Sequence, residues 1–332
     1  MRFSEYMSEW LYGENGYYVN YKEIGKDGDF YTAVSSSQFF GGSIAKEFIK
    51  IIESGKFSEN STICEIGAHK GYLTADIIQF IYTLKPQLLK TLKFAIIEKF
   101  EHLREKQKRY LEECFGDEVK VQFFESLDYF QSDETLFVAN EIFDAFPCEL
   151  FYKGKIGTFQ NGKIEFLESD LEIENIAKKY GNDRGEIAVG YLDFAKRVQK
   201  SSKRFEFITF DYGDIEPRPD FSIRTYQKHK VSPLFEENLD LENMFGKSDI
   251  TFDVDFKYLK DEFESIGIEF LEYKTQMKAL IDFGIIELLE MLKENVSQKT
   301  YSTEMNRAKI LIDPSFMGER FKMIRFFGER KD

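Results

Sequence analysis

A short apolar run, Ser61-Thr-Ile-Cys-Glu-Ile66, passes directly into Gly67-Ala-His-Lys-Gly71, after which Leu73, Ile77, Phe80, Ile81 and Leu84 recur on a helical period. Strand, glycine turn and helix in this order constrain the fold most, because a strand that feeds a helix returns as a parallel neighbour through a right-handed crossover. The rhythm repeats: residues 92–97 read as a strand, 103–114 as a helix, and 119–124 and 135–139 as strands. Such alternation predicts an α/β protein, a doubly wound sheet with helices on both faces. Upstream, Ile44, Phe48, Ile51 and Ile52 mark the buried face of a helix over 39–54, an N-terminal helical extension. After Pro147 come short strands at 149–152, 155–160 and 163–167, separated by Gly154 and by the hairpin signal Asn161-Gly162: an inserted β excursion. A helix over 187–200, a strand over 205–210, a long loop over 214–250, a helix over 257–266, a strand over 268–273, a helix over 279–292 and a strand over 321–327 follow. The expected organisation is residues 1–60 as a helical cap, 61–147 and 185–332 as the sheet core with a loop insertion at 214–250, and 148–184 as the inserted segment.

Composition narrows the function. With 45 Lys and Arg against 59 Asp and Glu, the 332 residues carry a net charge of −14, which disfavours a nucleic-acid partner, whose phosphates are bound by displacing counterions with basic residues. No apolar run approaches the ~18 residues that span a bilayer, and residues 1–10 carry Glu5 and Glu9, so a cytoplasmic chain without membrane insertion is expected. Cys64, Cys114 and Cys148, with His69, His102 and His229, show no metal-ligand spacing. The 35 Phe and 18 Tyr are read as core packing.

In a doubly wound sheet, ligands sit beyond the carboxyl ends of the strands near the switch in strand order. The first strand end offers Glu65, with Gly67 and Gly71 permitting a sharp turn and close helix packing. The spacing is neither the GxGxxG dinucleotide fingerprint nor a P-loop, which disfavours a nicotinamide enzyme. Glu98, after the second strand, can accept both hydroxyls of a ribose, or can be an acid favoured at a helix start. Ser126 and Leu127 offer a polar side chain and a backbone N–H for an adenine. The fourth end is richest: Asn140, Glu141 and Asp144 bring an amide and two carboxylates before Pro147, able to orient a cationic acceptor such as a guanidinium, although Asp144 can equally tie down the loop. Asp211 and Tyr212 follow the next strand.

These motifs, with Glu5-Tyr-Met7, Gly16-Tyr-Tyr18, Gly28-Asp-Phe-Tyr-Thr32, Ser37-Gln38, Phe40-Gly41, Asp249-Ile-Thr251, Val254-Asp-Phe256 and Met317-Gly-Glu-Arg-Phe321, run in one order along nearly the whole chain. The chain thereby resembles the MidA-like family of S-adenosylmethionine-dependent methyltransferases, whose mitochondrial relatives are complex I assembly factors that methylate an arginine of a complex I subunit. The resemblance implies a class I, Rossmann-like methyltransferase using S-adenosyl-L-methionine. It implies that Glu65, Gly67 and Gly71 line the methionine part of the cofactor, that Glu98 holds its ribose, and that Gly28, Asp29, Phe30 and Thr32 close over cofactor and acceptor. Glu141 and Asp144 then face an acceptor arginine of a protein partner. Three positions depart from the family: His69 where Gly is usual, Val34-Ser35 where Pro-Glu is usual, and Ser126 where Asp is usual. They motivate an alternative, a cofactor-binding assembly chaperone with little or no turnover.

Overall fold

The structure, a computed structural model, describes residues 1–19, 32–216, 218–227 and 230–330. The main sheet has eight strands, seven of them along one path: β1 (Thr62–Ile66), β2 (Lys93–Ile97), β3 (Val121–Phe124), β4 (Ser132–Asn140), β5 (Ser202–Asp214), β6 (Glu269–Thr275) and β7 (Phe321–Glu329); the eighth, Val254–Asp255, pairs in parallel with the end of β5. The order along the path is β6-β7-β5-β4-β1-β2-β3. Neighbours from β5 through β3 are parallel, and β6 and β7 are antiparallel to each other. The chain winds outward from β1 to β3 and then restarts at β4 on the other side of β1, so the switch in order lies between β1 and β4.

The register levels the strand ends. Ile66 pairs with both Ile97 and Ala139, Ile97 with Phe124, and Asn140 with Phe210. Gly67, Glu98, Glu125, Glu141 and Asp211 therefore each follow the last paired residue of adjacent strands. β1 is buried along its length, as a strand covered by helices on both faces must be. Much of the aromatic load is core, although Tyr82, Tyr129 and Phe316 are exposed: Phe124, Phe130, Phe137 and Phe207 interlock edge to face, and Phe207 and Phe326 both stack on Phe263.

By its contacts the chain divides into two compact units. One comprises Thr32–Glu141, Ala195–Asp211 and Phe263–Asp332; the other comprises Met1–Tyr31, Ile142–Phe194 and Tyr212–Glu262. This division differs from the boundaries expected from sequence, because the two helical parts of 1–60 belong to different units. Helix Phe39–Glu53 packs on helix Tyr72–Leu84 in the sheet unit, and a Cβ at Gly41 would come within 2.5 Å of the Cβ of Asp76. Helix Phe3–Tyr12 is part of the second unit: Tyr6 stacks on Phe159 at 3.9 Å, and the Trp10 indole N–H donates to the Ser248 carbonyl at 2.7 Å.

The second unit holds the β excursion, a four-stranded sheet ordered Lys163–Glu168, Lys155–Gln160, Cys148–Tyr152, Arg184–Ala188. Residues 214–250, expected as loop, contribute strands Arg224–Gln227 and Lys230–Pro233, which form a three-stranded sheet with Asp249–Thr251. The expected helix over 279–292 is two helices, Gln276–Asp282 and Ile285–Asn295, parted at Gly284, whose φ of 89° a side chain rarely adopts. Helix Gln298–Ile312 follows.

Candidate active site

The glycine turn folds as its residues dictate. Gly67 and Gly71 take φ of 75° and 78°, and a Cβ at Gly71 would meet Gln107 only at an ordinary 3.5 Å, so the backbone conformation rather than lack of space requires glycine there. His69, in the same turn, also has a positive φ, 48°. Its departure from glycine is thus a strained one, worth about 1 kcal/mol.

Thr74, which the sequence reading did not single out, holds Glu65. One Glu65 carboxylate oxygen accepts from the Thr74 N–H at 3.0 Å and from the Thr74 hydroxyl. Burial pushes the Glu65 carboxyl up to about 7; the Thr74 hydrogen bonds oppose this, and the Glu98 charge adds to it. Two residues on from Thr74, half-buried Asp76 has no side-chain hydrogen bond or ion pair among the described residues, and burial together with Glu65 lifts it to about 8. Glu98, 7% exposed, accepts from the Phe100 N–H and from the Gln107 amide, both at 3.3 Å. Burial raises its pKa, and hydrogen bonds from Phe100, Gln107 and the His69 backbone pull it back.

Ser126, expected beside an adenine, accepts from the Asp128 N–H at 3.2 Å and starts the short helix Leu127–Tyr129, with Leu127 buried. At the end of β4 the Asn140 amide donates to Glu141 at 2.8 Å, and Asn140 Oδ1 is buried without a hydrogen-bond partner among the described residues. Glu141 is half-exposed at φ 53°, and its N–H donates to the Phe210 carbonyl at 2.9 Å. Thr32 caps helix Ala33–Ser36 by accepting from the Ser35 N–H at 3.1 Å, and the Ser35 hydroxyl completes the cap. Gly28, Asp29 and Phe30 lie outside the described residues.

Asp144 does not present an open carboxylate to an acceptor. It is 4% exposed in the second unit and accepts a hydrogen bond from the Tyr212 hydroxyl, which also bonds Thr251 Oγ1 at 2.5 Å. The Arg224 guanidinium lies 4.8 Å from the Tyr212 ring and bonds Asp253 at 2.6 Å. Burial pushes Asp144 up to about 6, against the pull of Tyr212 and Arg224. Of the two acids expected to face a guanidinium, Glu141 is half-exposed, whereas Asp144 is buried and holds the Tyr212 hydroxyl. Periodicity gives no sign of this bond, because its partners stand 68 residues apart.

Comparison with known proteins supplies the chemistry this geometry leaves open. A mouse protein arginine methyltransferase, the mitochondrial NDUFAF7, is 26% identical over 96% of this chain and 79% of its own length, and the rat protein of the same name is 25% identical over the same shares. A superfamily structure from Burkholderia thailandensis, bound to S-adenosyl-homocysteine, shares the fold with a TM-score of 0.82 at 22% identity, covering 100% of this chain and 89% of that one. The family model for S-adenosyl-L-methionine-dependent methyltransferases matches residues 43–274, a span that takes in every strand end described above. The chain belongs to that family and is an S-adenosylmethionine-dependent methyltransferase.

Proposed function

We propose that the methyl acceptor is an arginine side chain of a protein partner, with Glu141 as the carboxylate that receives it. The observation that carries this reading is the half-exposed Glu141 held by Asn140 at the strand end next to the switch point. The names of the mouse and rat relatives support it, and so does the net charge of −14, which favours approach of a cationic side chain.

The residues of the sheet unit fit the cofactor. Glu65 and Glu98 are buried carboxylates with no ion pair among the described residues, as suits groups that receive an ammonium and a pair of ribose hydroxyls. When bound, S-adenosylmethionine supplies an electrophilic methyl group. The chain's part is to hold and orient. Glu141 accepts guanidinium N–H bonds, aims one nitrogen, and offsets the positive charge until that nitrogen releases its proton. A cytoplasmic site of action and a respiratory complex I subunit as the first partner to test belong to the same proposal.

Mass spectrometry of the candidate partner after incubation with the protein and S-adenosylmethionine should show a methylated arginine. Glu141→Ala should reduce its formation by about 10²-fold or more while leaving S-adenosylhomocysteine binding within a few-fold. Intact cofactor binding with no methylated arginine from the wild-type protein would refute the proposal in favour of the assembly-chaperone reading.

A further inference from the structure

Helix Glu101–Phe115 buries Leu103, Gln107 and Leu111, one stripe at four-residue spacing on an otherwise charged helix. A leucine is the expected middle member of such a stripe, yet the residue is a glutamine at 0% exposure. Gln107 Nε2 donates both to the His69 carbonyl at 2.9 Å and to Glu98 Oε2 at 3.3 Å. Gln107 Oε1 is buried with no hydrogen-bond partner among the described residues. The amide cannot be turned over, since Oε1 would then face a carbonyl and a carboxylate, neither of which donates. An amide buried at this expense, where an apolar side chain would fit, has its use in the two groups it joins.

Those groups belong to two separate elements. Glu98 stands at the end of β2, and His69 lies in the turn between β1 and its helix, held at a φ of 48°. The His69 backbone also hydrogen-bonds the Glu98 carboxylate, so the turn and the acid are bound in both directions, with Gln107 beneath them and its Cγ 3.5 Å from where a Gly71 side chain would begin.

We infer that Gln107 is a positioning residue for the cofactor ribose, fixing the Glu98 carboxylate against the glycine turn so that both carboxylate oxygens stay aimed at the ribose hydroxyls. The inference rests on the reading of Glu98 as the ribose acceptor. It predicts that loss of the amide is felt where the ribose is recognised and not in the stability of the protein.

The test is calorimetric binding of S-adenosylhomocysteine and of its 2′-deoxyribose analogue, with thermal unfolding of the free protein. Wild type should prefer the full ribose by about tenfold or more, and Glu98→Gln should remove most of that preference. Gln107→Leu should weaken S-adenosylhomocysteine by about tenfold and the deoxy analogue by much less, while the unfolding midpoint holds or rises because an unpaired buried oxygen is gone. Equal weakening of both ligands, or a lower midpoint with the ribose preference intact, would overturn the inference and leave Gln107 a structural residue. A wild type or Glu98→Gln without the expected ribose effect refutes the Glu98 reading itself. Should Gln107→Leu not fold, Gln107→Glu keeps the side-chain shape: its ribose preference should be lost at alkaline pH, where two carboxylates repel, and return in part as the pH falls and the buried pair takes up one proton. A preference unchanged across pH in that variant also overturns the inference.

Discussion

Two sets of buried carboxylates in the sheet unit are treated in opposite ways. Glu206 on β5 and Glu47 on helix Phe39–Glu53, 0% and 6% exposed, converge on Arg325 of β7, which bonds them at 2.6 and 2.8 Å and reaches Glu272 at 3.3 Å; Lys56 also pairs with Glu206. Glu65 and Asp76 make no ion pair among the described residues, and Glu98 feels only the Arg104 guanidinium, which bonds its backbone carbonyl at 2.7 Å and not its carboxylate; burial raises all three. The fold can neutralise buried acids and does so around Arg325. Around the glycine turn it buries acids without an ion pair, the arrangement on which the proposed cofactor site rests.

The contrast breaks most visibly at Arg325. Arg325→Met strands two buried carboxylates and should lower stability by about 3–5 kcal/mol, a fall in unfolding midpoint on the order of 10 °C. A fall of only a degree or two would mean that Lys56 beside Glu206 and Lys50, 3.5 Å from Glu47, neutralise the pair without Arg325, and the contrast would rest on those lysines instead.

A smaller effect comes from pH. Burial pushes the carboxyls of Glu65 and Asp76 up to about 7 and about 8, above the ordinary carboxylate range of about 4. The stability they contribute is therefore complete below the ordinary carboxylate range and is lost as pH rises through about 7 and 8, where the folded state must give up protons it prefers to keep. Thermal unfolding of the free protein should show a midpoint that declines between about pH 5 and 8, and Asp76→Asn should flatten that decline. S-adenosylmethionine binding should strengthen over the same interval, since the ionised acids attract its cationic groups. Parallel slopes for stability and binding would end the idea that the charge is reserved for the ligand.

The smallest expected change is at the turn. His69→Gly should relieve the strain at φ 48° and raise stability by no more than about 1 kcal/mol, read as a midpoint shift of a few degrees. A loss of stability would show that the imidazole is packed to advantage.

What was legible in the sequence was local. The path from Glu65 through Gly67 to Gly71 appears as read, because two glycines and a helical apolar stripe are properties of adjacent residues, and the β-rich stretch after Pro147 announced itself through its turns. What was hidden depends on residues far apart. Helix Gln298–Ile312 buries only Ala308 and Leu311, too few for a periodic signal. Strands of three and four residues, such as Asp249–Thr251 and Arg224–Gln227, are shorter than the window in which alternation can be counted. Gln107 escaped notice because a search for apolar spacing skips the polar residue in the stripe, and that residue was the informative one.

The seating of Trp10 bears on biosynthesis. Its indole partner, Ser248, stands 238 residues further along the chain. At ribosomal rates of about 5–20 residues per second, roughly 10–50 s pass between the emergence of Trp10 and that of the strand that covers it. Through that interval the helix that buries Phe3, Tyr6, Met7, Trp10 and Leu11 in the finished protein has at most part of its cover, the strands that carry Cys148 and Phe159, and Trp10 lacks the residues that close over it. Yield in a heterologous host should therefore respond to holdase chaperones and to slower translation at lower temperature more than to stabilising changes in the folded state.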